Sequence, residues 1–183
     1  MAKTRGIVFF GPAGAGKTSL GMMTASALKA PYFDFDDYIF RSDAREPFTE
    51  RYSREEKIGR LISAIEPNPL FVLAGYMDGD HRELDELFAI AFHITAPEGM
   101  REARIRQRDL EIYGSRVMPG GDMYENHERF IQGVSQYEDP EKGFLKRHRE
   151  WSGSLDCPVI PLDGSRPLSE NLQLVLNECR KVL

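Results

Sequence analysis

The chain has 183 residues, 41% hydrophobic and 29% charged, a globular balance that excludes an intrinsically disordered protein and predicts one domain. Its 24 Lys and Arg against 29 Asp and Glu leave a net charge of −5, which argues against nonspecific nucleic-acid or anionic-membrane binding, because both need a basic face. Its two cysteines, Cys157 and Cys179, read as free thiols, and no apolar run is long enough for a secretory signal or a bilayer span, so a cytoplasmic protein is expected.

Short apolar stretches alternate with helical ones, the pattern of a parallel sheet covered by helices. Residues 6–10 are apolar after Gly6 and read as a buried central strand. Residues 17–29 follow as a helix with Leu20, Met23, Ala27 and Leu28 on one face, closed by Pro31. Residues 32–35 form a second strand. Residues 55–65 form a helix whose stripe is Ile58, Leu61, Ile62 and Ile65, stopped by Pro67 and Pro69. Residues 70–74 make a third strand, 81–88 a short helix and 89–94 a fourth strand. A basic helix over 98–113 leads into a glycine-rich loop over 114–122 and further helices over 123–137 and 141–151. Residues 159–162 are the fifth strand, and 168–182 the closing helix. The charged, glycine-punctuated stretch 96–139 lies between two strands and is expected to be a mobile excursion.

The chemistry is carried first by Gly11-Pro12-Ala13-Gly14-Ala15-Gly16-Lys17-Thr18, which matches G-x-x-x-x-G-K-[ST] between an apolar strand and a helix. Glycines at these positions let backbone N–H groups turn inward around a phosphate chain, and the helix adds its positive end. Gly11, Ala13, Gly14, Ala15, Gly16, Lys17, Thr18 and Ser19 are the candidate nucleotide contacts, with the Lys17 ammonium on the β- and γ-phosphates and the Thr18 hydroxyl on Mg²⁺. No Asn-Lys-x-Asp guanine signature is present, and the third strand ends Leu73-Ala74-Gly75-Tyr76 without an acid. The acids stand instead on the second strand, in Phe33-Asp34-Phe35-Asp36-Asp37. Alternation along an extended strand points Asp34 and Asp36 the same way. Asp34 is the candidate metal residue, and Asp36 the candidate base for an acceptor hydroxyl. Arg101, Arg104 and Arg108 recur at i, i+3 and i+7 on the basic helix. Arg104 or Arg108 is the candidate to close on the charge of a transferring phosphoryl group.

With these three features together the chain resembles the small-molecule and nucleotide kinases of the adenylate-kinase-like P-loop group, shikimate kinase and gluconate kinase among them, over nearly its whole length. Asp34-Phe35-Asp36 is similar to the Asp-x-Asp with which shikimate kinases bind magnesium and their acceptor. Val117-Met118-Pro119 and Ser135-Gln136-Tyr137-Glu138-Asp139-Pro140 loosely resemble the lid of gluconate kinases. Leu162-Asp163-Gly164-Ser165-Arg166-Pro167 is similar to the loop bordering adenine, which makes Arg166 a nucleotide contact. The resemblance implies a three-layer α/β/α P-loop NTPase fold with a five-stranded parallel sheet, an acceptor-binding helical region over 37–66 and a helical lid over 97–139. Two features depart from it. Shikimate kinases carry Gly-Gly where this chain has Ala74-Gly75-Tyr76, and Asp78-Gly79-Asp80-His81-Arg82 sits too far from its strand to match the Asp-Gly-x-x-Arg of adenylate kinases.

Among lesser features, Arg41, Arg45, Arg51 and Arg60 serve equally as surface ion pairs or as contacts to an anionic acceptor. Phe130, Val134 and Tyr137 read as core, His127 as structural, and Trp151 is open. The expected activity is an ATP- and Mg²⁺-dependent kinase, monomer or homodimer, acting on a small hydroxyl-bearing metabolite or nucleotide. The alternative is a P-loop ATPase switch that hydrolyses nucleotide to act on a protein partner, which the missing acid on the third strand disfavours.

Overall fold

A computed structural model describes residues 4–44, 49–79 and 81–183. Five strands, Arg5–Phe10 (β1), Tyr32–Asp34 (β2), Leu70–Gly75 (β3), Phe88–Thr95 (β4) and Val159–Asp163 (β5), form one sheet in the order β2-β3-β1-β4-β5. All four pairings are parallel. Parallel strands need covered faces, and the alternation along β1 supplies both. Ile7 and Phe9 join Val72, Ala74, Ile90 and Phe92 on one face, under helices Lys17–Leu28 (α1) and Leu168–Val182 (α7). Val8 and Phe10 join Phe71, Leu73 and Ala91 on the other, with Ile58, Leu61 and Ile65 of Arg54–Ile65 (α3) and Trp151 of Phe144–Ser152 (α6). The expected three-layer α/β/α arrangement is the one observed.

The remaining helices are Asp36–Ile39 (α2), Glu98–Tyr113 (α4) and Tyr124–Ser135 (α5), with 3₁₀ turns at Arg82–Leu87 and Gly114–Val117. Helix α3 starts where Ser53 and Glu56 cap each other's backbone, a reciprocal box that satisfies two N-terminal donors. Among the described residues no helix is long and apolar enough to cross a membrane. Both cysteines are free thiols, and burial pushes Cys179 up to about 11.

Three expectations need correction. Helix α1 buries Leu20, Gly21, Thr24 and Ala25, while Met23 is exposed. The cause is the close approach of the sheet: a Cβ on Gly21 would come within 2.8 Å of the Tyr32 ring, so the small residues must face inward. Phe130 is also exposed, although Val134 and Tyr137 are buried as expected. Finally, β2 stops at Asp34, and Asp36 opens α2 instead of continuing the strand.

Candidate active site

The strands end together at one edge of the sheet, where open α/β folds bind ligands. The loop from Gly11 to Gly16 leaves β1 there and enters α1. Gly14 has φ +75°, and a Cβ on it would stand 2.5 Å from the Arg101 carbonyl oxygen of α4. Only glycine suits both the left-handed backbone and that contact. The Lys17 ammonium donates to the Pro12 carbonyl at 2.8 Å, folding the side chain back over the loop. Burial lowers Lys17 to about 8, opposed by the carboxylates of Asp36 and Asp34. Thr18 and Ser19 are exposed at the mouth of the loop, and Ala15 is buried beneath it.

The acidic corner follows β2. The Thr18 hydroxyl donates to Asp34 Oδ2 at 3.3 Å, and the Tyr32 hydroxyl donates to the same oxygen at 3.0 Å. Burial and the Asp34 charge push the Tyr32 phenol far up, so it remains a protonated donor. The Asp36 N–H donates to Asp34 Oδ1 at 3.1 Å, a local turn that breaks the strand. Asp36 and Asp34 are thus brought together by this turn and not by strand alternation. Burial raises the Asp36 carboxyl above its usual range, the Asp34 charge adds to the rise, and Lys17 opposes it. Thr18 and Asp34 present adjacent hard oxygen donors, which fits Mg²⁺, an ion that keeps several waters and takes few protein ligands.

The arginines of α4 have three different fates. Arg101 is fully buried: its guanidinium donates to the Ala96 and Val134 carbonyls at 2.9 and 3.0 Å and to Glu138 at 2.6 Å. Arg104 donates to the Gly14 carbonyl at 3.4 Å and the Gly164 carbonyl at 3.0 Å, joining the phosphate loop to the loop after β5. Arg108 pairs with its neighbour Asp109 at 2.7 Å, and buried Asp109 also meets His127 Nε2 at 3.2 Å. The Arg108 charge reaches Lys17 and Asp36, lowering both. Arg106 bridges Glu102 of its own helix and Glu128 of α5. Arg166 pairs with Glu170 at 3.1 Å on the rim of the β5–α7 loop. That loop is held by the Gly164 N–H on the Thr95 carbonyl at 2.7 Å and by the buried Asn171 amide on the Asp163 carbonyl at 2.9 Å.

Toward α3 the arginines mostly lie over rings. Arg60 stands 4.4 Å and Arg41 5.4 Å from the Tyr52 centroid, Arg51 5.2 Å from that of Phe40, and Arg41 also pairs with Asp43 at 2.7 Å. Arg45 and Asp80 lie outside the described residues. Asp78 lies 3.9 Å from the Arg147 guanidinium. Trp151 is core: its indole N–H donates to Asp85 at 2.9 Å, and its ring meets Phe10 edge-on.

The sequence reasoning missed a buried polar group on the α6 side of the sheet. The Tyr137 hydroxyl lies 3.0 Å from His93 Nε2 and 2.7 Å from His148 Nδ1. Burial lowers His93 to about 4 and His148 to about 3, so both are neutral. The only signal was a histidine inside the otherwise apolar fourth strand. Asn171 and the Arg101 carbonyl carried no signal, since their roles depend on which loops meet.

No family model matches the chain. It is 26% identical over 175 residues to the uncharacterized protein YqaC of Bacillus subtilis strain 168, spanning 94% of this chain and 96% of that one. A gluconokinase from Sinorhizobium meliloti 1021 superposes with a TM-score of 0.59 at 15% identity, covering 100% of this chain and 95% of that one. A shikimate kinase from Bacteroides thetaiotaomicron gives 0.58 at 17%, covering 97% and 98%. The fold is therefore that of the P-loop kinases of the adenylate-kinase-like group.

Proposed function

We propose that this chain is an ATP- and Mg²⁺-dependent kinase that transfers the γ-phosphoryl group to a small hydroxyl-bearing metabolite or nucleotide. The observation that carries the reading is the meeting of the Thr18–Asp34 oxygen pair, the Asp36 carboxyl and the Lys17 ammonium at one strand edge. The fold neighbours support it, since the two described above are by name kinases of gluconate and shikimate. Residues 37–66 would receive the acceptor and 97–139 would close as a lid.

The loop N–H groups and Lys17 would hold the phosphate chain, and Thr18 and Asp34 would hold Mg²⁺. When bound, the ion would neutralise charge on the phosphate oxygens. Asp36 accepts the proton of the attacking hydroxyl, a task suited to a carboxylate whose affinity for protons is raised. The acceptor oxygen bonds to the γ-phosphorus as its bond to the bridging oxygen of ADP breaks. Arg108, whose charge already reaches Lys17 and Asp36, is assigned the closing contact. Arg104 is assigned the nucleotide side, because its guanidinium is engaged by the Gly14 and Gly164 carbonyls; Arg166 would border the base. An ATPase switch is disfavoured, because the acid beside Thr18 comes from β2 and not from β3.

The test is a transfer screen with ATP·Mg²⁺ over sugar acids, nucleosides, nucleotides and aminoglycosides, following ADP and products by ³¹P NMR. One phosphorylated acceptor per ADP is expected. Release of free phosphate on adding a protein partner, with no acceptor phosphorylated, would establish the switch instead.

A further inference from the structure

Asp34 is held at both of its oxygens. The Asp36 N–H donates to Oδ1 at 3.1 Å, and the Tyr32 and Thr18 hydroxyls donate to Oδ2 at 3.0 and 3.3 Å. The backbone donor belongs to the turn after β2, and Thr18 belongs to the phosphate loop. Tyr32 belongs to neither. It stands two residues before Asp34 on the same face of β2, in register with Val72 as Asp34 is with Ala74. Its ring packs against the core under α1, and a glycine makes the space for it. A Cβ on Gly21 would stand 2.8 Å from a ring carbon of Tyr32 and 3.5 Å from the Ala74 Cβ. Glycine weakens a helix interior relative to alanine, so a buried glycine within α1 needs a reason, and the Tyr32 ring supplies it.

We propose that Tyr32, seated by Gly21, is a positioning residue for Asp34 and tunes the site toward Mg²⁺ over Ca²⁺. The inference rests on the kinase reading for the ion, and on the Gly21–Tyr32–Asp34 chain of contacts for the rest. The last torsion of an aspartate is soft, and donors on both oxygens fix it. The Thr18 hydroxyl also bonds the Tyr32 oxygen, so the three groups form a closed triangle at Oδ2. Thr18 is itself a proposed ion ligand, which leaves Tyr32 as the side chain committed to holding the carboxylate.

A fixed carboxylate matters unequally to the two ions. Mg²⁺ demands near-ideal geometry and takes few protein ligands, whereas Ca²⁺ accepts flexible arrangements. Partners behind a metal-ligating group act by orienting it, without touching the ion. If Tyr32 only filled space, phenylalanine would fill the same space and neither ion would notice the change.

The experiment is calorimetric titration of ATP into the full chain without metal, with saturating Mg²⁺ and with saturating Ca²⁺. The readout is how much each ion tightens ATP binding. Tyr32→Phe keeps the ring and removes only the hydroxyl. It should leave metal-free ATP affinity unchanged and cut the Mg²⁺ enhancement about tenfold, the low end for a partner behind a metal ligand. The Ca²⁺ enhancement should fall less than about twofold. Gly21→Ala keeps the hydroxyl but displaces the ring, so it should lose Mg²⁺ enhancement in the same selective way. Gly21→Ala added to Tyr32→Phe should lose nothing more. The proposal is overturned if Tyr32→Phe retains the full Mg²⁺ enhancement, if both ions lose equally, or if the effects of the two substitutions add. A wild type whose ATP binding Mg²⁺ does not tighten would sink the metal site of the kinase reading, and this proposal with it. A wild type and a Tyr32→Phe variant that respond equally to Mg²⁺ would sink this proposal alone and leave the kinase reading standing.

Discussion

The acidic corner after β2 and the arginine-rich α4 flank the same phosphate loop, yet they handle charge in opposite ways. In the corner, Asp34 and Asp36 stay close together although their charges repel; desolvation raises Asp36, and the Asp34 charge adds to the rise. Hydroxyls, one backbone N–H and the charges of Lys17 and Arg108 offset it. In α4 the guanidinium groups are already taken: Arg101 by two carbonyls and Glu138, Arg104 by two loop carbonyls, Arg108 by Asp109. The difference teaches that one flank keeps acidic charge incompletely paired, while the charge of the other is mostly spent on holding loops and helices together. Preorganised charge costs stability and favours a ligand; satisfied charge holds loops in place.

The comparison can be broken from either flank. The largest effect is expected at Lys17→Ala, with turnover falling about 1,000-fold, roughly 4 kcal/mol of barrier. The fold should not weaken: Lys17 sits at about 8 when folded against an ordinary 10.5, so its charged form opposes folding at pH 7 and is relieved only as pH rises through that window. Turnover within threefold of wild type would remove Lys17 from the mechanism. Next, Arg101→Met should destabilise the fold by about 3 kcal/mol in urea, because it removes the buried guanidinium that ties the Ala96 and Val134 carbonyls and Glu138 together. A change below about 1 kcal/mol would show that Arg101 is not holding α4 to α5.

Smaller effects separate Arg108 from Arg104. Arg108→Ala should lower the acceptor-stimulated rate about tenfold with ATP affinity preserved, and Arg108→Lys should rescue poorly, since a point charge lacks the guanidinium fork. Arg104→Ala should instead weaken ATP binding about fivefold, with little change in kcat, by freeing the Gly14 and Gly164 loops. Steady-state kinetics on both variants checks the split, and an interchange of the two patterns would contradict the assignment. The smallest effect is on pH: ATP affinity should fall roughly twofold between pH 7 and 8 as Lys17 loses its proton, and Lys17→Met should abolish that slope.

The two flanks also differ in how much of them the sequence reveals. Gly11 to Thr18 is legible because the motif prescribes backbone geometry locally, and the strand and helix around it are the ones expected. The proximity of Asp34 and Asp36 is legible in the sequence, but its geometry is not, because the pattern of aromatics conceals a turn set by the Asp34 side chain. The spacing of Arg101, Arg104 and Arg108 told that they share a helix face, not which partners they would meet. Those partners, Val134, Glu138, Gly14 and Gly164, lie 33, 37, 90 and 60 residues away in the chain. Helix α1 shows the same limit: its hydrophobic stripe pointed to Met23, and the proximity of Tyr32 decided for Gly21.

The central claim is that the acidic corner completes a Mg²⁺·ATP site with the phosphate loop and keeps a second carboxylate for the acceptor. Calorimetric titration of ATP, with and without Mg²⁺, into the wild type, Asp34→Asn and Asp36→Asn tests it directly. The account predicts that Mg²⁺ strengthens ATP binding to the wild type and to Asp36→Asn alike, that Asp34→Asn loses this Mg²⁺ response, and that Asp36→Asn binds ATP normally yet transfers no phosphate. Equal loss of the Mg²⁺ response in both variants, or its full retention in Asp34→Asn, would contradict it.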